Sequence, residues 1–131
     1  MKRMAKALVL IILIFGWSVG VATANKASVA IEAPQSVQKG AELIIRVTVT
    51  HSANSFFHYT EWLKVTVNQK EVARWDYTSS SRPEAAVFTK EIKLEAVENM
   101  EITAQASCNI HGSAGPAKLI IQVGDAKPNP K

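Results

Sequence analysis

Leu43-Ile44-Ile45-Arg46-Val47-Thr48-Val49-Thr50 sets the architecture of this chain. Ile45, Val47 and Val49 recur at every second position, which places them on one face of a strand with a core side. Runs of similar character flank it at Ser28 to Ala33, Thr60 to Asn68, Glu71 to Tyr77, Ala86 to Ala96, Met100 to Ser107 and Ala117 to Val123. No long amphipathic helix interrupts them. Seven short strands separated by turn signals predict an all-β domain, an immunoglobulin-like seven-stranded antiparallel β-sandwich. Pro34 and Lys39-Gly40 break the first pair, Asn68-Gln69 has the length of a tight hairpin turn, and Ser79 to Pro83 is a polar loop.

The 24 residues at the N-terminus have a different pattern. Lys2, Arg3 and Lys6 precede an apolar run from Ala7 to Phe15, and Ala22-Thr23-Ala24 offers small residues for cleavage. This is the pattern of a secretory signal helix over 1–24, ahead of a domain over 25–123 and a Pro-bearing, disordered tail over 124–131. Export, with a periplasmic destination, is the expectation. If the leader is not cleaved, Ala7 to Ala24 anchors the protein to a membrane.

The chain has 15 basic and 11 acidic residues, and removing the three basic leader residues leaves 12 against 11. No basic patch remains to hold nucleic acid.

The same alternation places candidate ligands. Continuing the parity of Ile45, Val47 and Val49 carries His51 to the core side at a strand end. In the sixth strand Ile102, Ala104 and Ala106 share a face with Cys108, the single cysteine of the chain. His111 follows three residues later, and Gly112 after it suits a sharp turn or a positive φ. His58 has the opposite parity to Leu63, Val65 and Val67, so its loop must carry it in. A lone cysteine in an exported protein is inert and buried, bonded to another chain, reactive, or metal-bound.

Three imidazoles and a thiolate in two short clusters point to a metal site at His51, His58, Cys108 and His111. Those donors suit iron, zinc or copper, and the lack of clustered carboxylates disfavours calcium and magnesium. Trp62 and Trp75 read as sheet-packing residues, and Glu61 as a solvated strand residue.

Cys108-Asn109-Ile110-His111-Gly112 and His58-Tyr59-Thr60-Glu61-Trp62-Leu63 resemble the two iron-binding motifs of superoxide reductases, the neelaredoxin and desulfoferrodoxin family. The resemblance spans about residues 28 to 123. It implies a mononuclear, non-haem iron centre ahead of zinc or copper, with Cys108 as the thiolate ligand acting in catalysis. It further implies one-electron reduction of superoxide to hydrogen peroxide with an external electron donor protein.

Three departures stand out. The family's further histidine, in an N-terminal Glu-Lys-His loop, has no counterpart here, and the nearest matching stretch is Ile31-Glu32-Ala33-Pro34. The interval from His51 to His58 is one residue longer than usual, and Ser113-Ala114-Gly115 stands where the family often has an aromatic residue. The competing reading is a non-catalytic β-sandwich serving metal binding, electron transfer or sulfur carriage. Assembly into a homo-oligomer is left open.

Overall fold

The computed structural model describes residues 15–19 and 26–125. These residues are all-β and form two sheets. Nine strands run in chain order: β1 (Phe15–Val19), β2 (Ser28–Pro34), β3 (Ser36–Gln38), β4 (Glu42–Thr50), β5 (Thr60–Val67), β6 (Lys70–Asp76), β7 (Val87–Glu95), β8 (Met100–Cys108) and β9 (Ala117–Gly124). One sheet has the order β1-β2-β4-β7 and the other β3-β9-β8-β5-β6.

All seven expected strands are present, within a residue or two of their expected ends. Two short strands are additional. The β3 strand pairs parallel with β9, so the sandwich is not wholly antiparallel. Its three residues are too few for alternation to reveal them in the sequence. The β1 strand pairs antiparallel with β2 where the end of a signal helix was expected. Phe15-Gly16-Trp17-Ser18-Val19 is rich in strand-favouring residues, and β2 offers it an edge. Gly16 permits that approach, since a Cβ there would meet Gln35 Cγ at 2.5 Å and Leu119 Cδ1 at 2.8 Å. The remainder of the expected leader, 1–14 and 20–24, lies outside the described residues, as do residue 25 and 126–131 of the expected tail. No helix among the described residues is long and apolar enough to cross a membrane.

The core lies between the sheets. Ile31 of β2 and Ile45, Val47 and Val49 of β4 face Leu63 and Val65 of β5, Ile102, Ala104 and Ala106 of β8 and Ile121 of β9, all buried. Burial of each large side chain contributes about 1.5–3 kcal/mol, which holds the expected register against a one-residue slip. At one end, Val67 pairs with Lys70 across Asn68 and Gln69, whose φ angles of 49° and 70° are those of a tight type I′ hairpin.

One irregularity positions the other end. In the β5 and β8 pairing, Thr60 lies opposite Cys108 but Trp62 lies opposite Ser107, leaving Glu61 as an extra residue. This bulge inverts the inside–outside alternation. Thr60 is thereby buried at 1% exposure, while Glu61 faces solvent.

Candidate metal centre

His51 ends the core-facing row of β4, where its N–H donates to the Ala86 carbonyl at 3.1 Å. It is 3% exposed, and Cys108, ending the row of β8, is 2% exposed. Both positions agree with simple alternation. His58 arrives by the loop between β4 and β5, as expected from its parity. That loop is tightened by the Ser55 N–H donating to the His58 carbonyl at 2.7 Å and the His58 N–H donating to Ser55 Oγ at 3.2 Å. His111 lies on the small hairpin after β8, closed by reciprocal backbone bonds between Cys108 and Gly112 at 2.8 and 3.0 Å. Gly112 has the φ of 75° that this turn requires.

His51, His58 and Cys108 form one mutually close group, and His111 borders it beside His58 and Cys108. His51 Nε2 is 3.1 Å from His58 Nε2, and His58 Nε2 is 3.3 Å from His111 Nδ1. Cys108 Sγ lies 3.8 Å from His111 Nδ1. The donor atoms of His51, His58 and Cys108 are mutually within 4.8 Å. Bonds of about 2.0–2.1 Å to nitrogen and about 2.3 Å to sulfur place neighbouring donors on one ion roughly 3–3.5 Å apart. The donors of His51, His58 and Cys108 are therefore near enough to share a single transition metal after adjustment, with His111 beside them.

Surrounding groups orient the donors. Thr60 Oγ1 is 3.3 Å from His51 Nδ1. A proton on Nδ1 donated to this hydroxyl leaves the Nε2 lone pair directed at the cluster. The backbone N–H groups of Ile110 and His111 point at Cys108 Sγ from 3.4 and 3.5 Å, the kind of contact that tunes a metal-bound sulfur. His111 is exposed, so one side of the cluster is open to solvent.

Two features escaped the sequence reading. The role of Thr60 depends on the bulge at Glu61, which no local period signals. Among the described residues, the N-terminal stretch that approaches the site does so at Ala27, before Ile31 to Pro34. Ala27 forms a bridge with Ser113, donates to the Gly112 carbonyl at 3.4 Å and accepts from the Ala114 N–H at 2.9 Å. Ile31 instead pairs with Val47 along β4. Ala27 is fully buried and provides no ligand. Trp62 lies on the outer face between Lys64 and Arg74, whose charged groups are 5.8 and 5.5 Å from its ring, and Trp75 packs partly buried on the core.

Comparison with known proteins agrees with this fold. Residues 20–113 match the Desulfoferrodoxin family. Among solved structures, the superoxide reductase (neelaredoxin) from Ignicoccus hospitalis superposes with a TM-score of 0.63 at 19% identity, covering 82% of this chain and 83% of that one. A CARDB domain from Pyrococcus furiosus, solved in complex with di-metal ions, gives a TM-score of 0.60 at 12% identity over 82% and 100% of the two chains. The sulfur carrier protein SoxY from Chlorobium limicola gives 0.50 at 15% identity over 73% and 78%. At these identities the structural likenesses establish the fold alone. No curated protein matches the sequence.

Proposed function

This chain belongs to the desulfoferrodoxin family, and on that premise we propose that it is an exported superoxide reductase acting at one iron held by His51, His58, Cys108 and His111. The observation that carries the reading is the convergence of three imidazoles and a thiolate sulfur at the mouth of the sandwich. Bound ferrous iron would supply the single electron that, with two protons, converts superoxide to hydrogen peroxide, and an external donor protein would restore that electron. Thr60 holds the His51 ring so that its donor nitrogen faces inward. The Ile110 and His111 amides hold the Cys108 sulfur in place. Exposed His111 marks the side from which a small anion enters and from which solvent protons arrive. The leader pattern supports action in the periplasm, or at a membrane if the leader is retained.

The second reading, a metal-binding or electron-transfer sandwich without turnover, is favoured by Ala27, which offers no fourth imidazole where the N-terminal segment meets the site. Sulfur carriage is disfavoured, because at 2% exposure Cys108 has no room to present an adduct to a partner. The deciding experiment is metal analysis and optical spectroscopy of anaerobically purified protein beside Cys108→Ser, followed by superoxide assays. Near-stoichiometric iron, a thiolate-to-ferric band lost in C108S, and catalytic superoxide consumption with a donor are expected. Iron without turnover would establish the second reading, and zinc or no metal would overturn the iron assignment.

A further inference from the structure

His58 is the ligand with the least secondary structure to hold it. No residue between Thr50 and Thr60 belongs to a strand. The neighbouring rings do not anchor the loop by burial either, since Phe56 is 55% exposed and Phe57 78% exposed. Hydrogen bonds must therefore fix its position, and those that the opposite loop makes to its backbone converge on one residue. Asn109 Nδ2 donates to the Phe57 carbonyl at 3.1 Å, while Asn109 Oδ1 accepts from the Tyr59 N–H at 3.0 Å. The Asn109 N–H also donates to the Tyr59 carbonyl at 3.1 Å. The three bonds bracket His58 on both sides.

We propose that Asn109 is the positioning residue of the metal centre, its side-chain amide setting His58 against Cys108 and His111. The proposal rests on the reading that this cluster binds a metal. Asn109 directly follows one ligand and precedes another by two residues, so its bracket fixes the distance between two separate segments that must share one ion. The amide has the required chemistry. It offers a donor and an acceptor to a carbonyl and an N–H two residues apart, where Asp lacks the donor, Ser lacks the reach and Ala lacks both.

The fold contains its own control. At the opposite end Asn68 makes the same bracket, with Oδ1 accepting from the Glu101 N–H at 2.9 Å and Nδ2 donating to the Asn99 carbonyl at 3.1 Å. No candidate ligand lies between those partners. One device thus serves a turn at one end and a ligand at the other.

The test is cobalt(II) titration of the full chain, followed by its thiolate-to-metal absorption, with amide hydrogen exchange on the metal-free protein. Asn109→Ala is expected to keep its cooperative unfolding, to bind cobalt about 10–100-fold more weakly, and to lose protection at the Tyr59 amide while Leu63 and Ala104 stay protected. Asn109→Asp, which keeps the acceptor, should restore protection at Tyr59. Asn68→Ala should lower the melting temperature yet bind cobalt within about twofold of the unaltered protein, because its bracket touches no ligand-bearing loop. The proposal is overturned if N109A binds cobalt as the unaltered protein does, if Tyr59 protection does not change, or if N68A loses as much affinity. An unaltered protein that binds neither cobalt nor iron would overturn the metal reading itself, whatever the exchange at Tyr59 shows.

Discussion

At the end of the sandwich away from the ligands, β5 turns into β6 through two residues, Asn68 and Gln69, whose positive φ angles define the turn. At the ligand end, passage from β4 to β5 takes residues 51–59, and passage from β8 to β9 takes 109–116. Charge differs as well. Lys70, Glu71, Glu98 and Glu101 surround the short turn, whereas neither ligand loop carries Asp, Glu, Lys or Arg. The first end is fixed by the dihedrals of its own two-residue turn, with the Asn68 bracket to Asn99 and Glu101 added to it. The second is secured by hydrogen bonds between loops distant in sequence, so its conformation is bound to the geometry of the candidate ligands. Long uncharged loops on a rigid scaffold suit a site whose donors must adjust to an ion, and such loops carry less local stability than the ladders below them.

Separability of the two ends can be tested, and the largest effect should come from His58→Ala. This loop-borne, half-buried donor adds little to the core, so metal affinity should fall by more than the roughly 10–100-fold that loss of an outer partner costs. Metal-free stability should change by no more than about 0.5 kcal/mol, as at other sites outside the core. Titration calorimetry and chemical denaturation measure the two quantities independently. A large loss of metal-free stability would break the comparison, because the loop would then be part of the scaffold.

Thr60→Val sharpens it, since Thr60 belongs to both regions as a strand residue that contacts the ring of the candidate ligand His51. The shape is nearly kept while the hydroxyl facing His51 Nδ1 is lost. Metal affinity should fall about tenfold. Leaving a buried ring nitrogen without this partner should cost about 1–3 kcal/mol of metal-free stability. Equal metal affinity in the variant would remove Thr60 from the site.

The smallest effect is expected at Tyr77, just past β6 at the ligand end. Its hydroxyl is buried without a hydrogen-bond partner among the described residues, and desolvation, followed by the nearby Glu84 carboxylate, raises its pKa above the usual 10.0. Tyr77→Phe should therefore leave stability unchanged or increase it by up to about 1 kcal/mol at neutral pH. A raised folded-state pKa favours the neutral phenol. Its contribution is complete below the unfolded value of about 10 and is lost as pH climbs through the folded value. The stability advantage of Y77F should widen over that alkaline range, and thermal melts from pH 8 to 11 would show it.

Much of this was legible in the sequence because strand alternation is a local property. The parity of Ile45, Val47 and Val49 carried His51 inward, and that of Ile102, Ala104 and Ala106 carried Cys108 inward. Gly112 marked a turn that needs a positive φ, and it has one. The parallel β3 and the docking of β1 on β2 were not legible, because each depends on an edge supplied by a distant segment. The approach of Ala27 to Ser113 was hidden for the same reason.

Residue types and their spacing by themselves determined the two-sheet β architecture, the rows that fill its core and the donors able to hold a metal. Only the tertiary structure decided that the bulge at Glu61 turns Thr60 toward His51, and that Asn109 ties the His58 loop to the Cys108 hairpin. The physical reason is that alternation is written into each strand by its own backbone. Register and loop contact are relations between strands, fixed only once partner segments have been brought together.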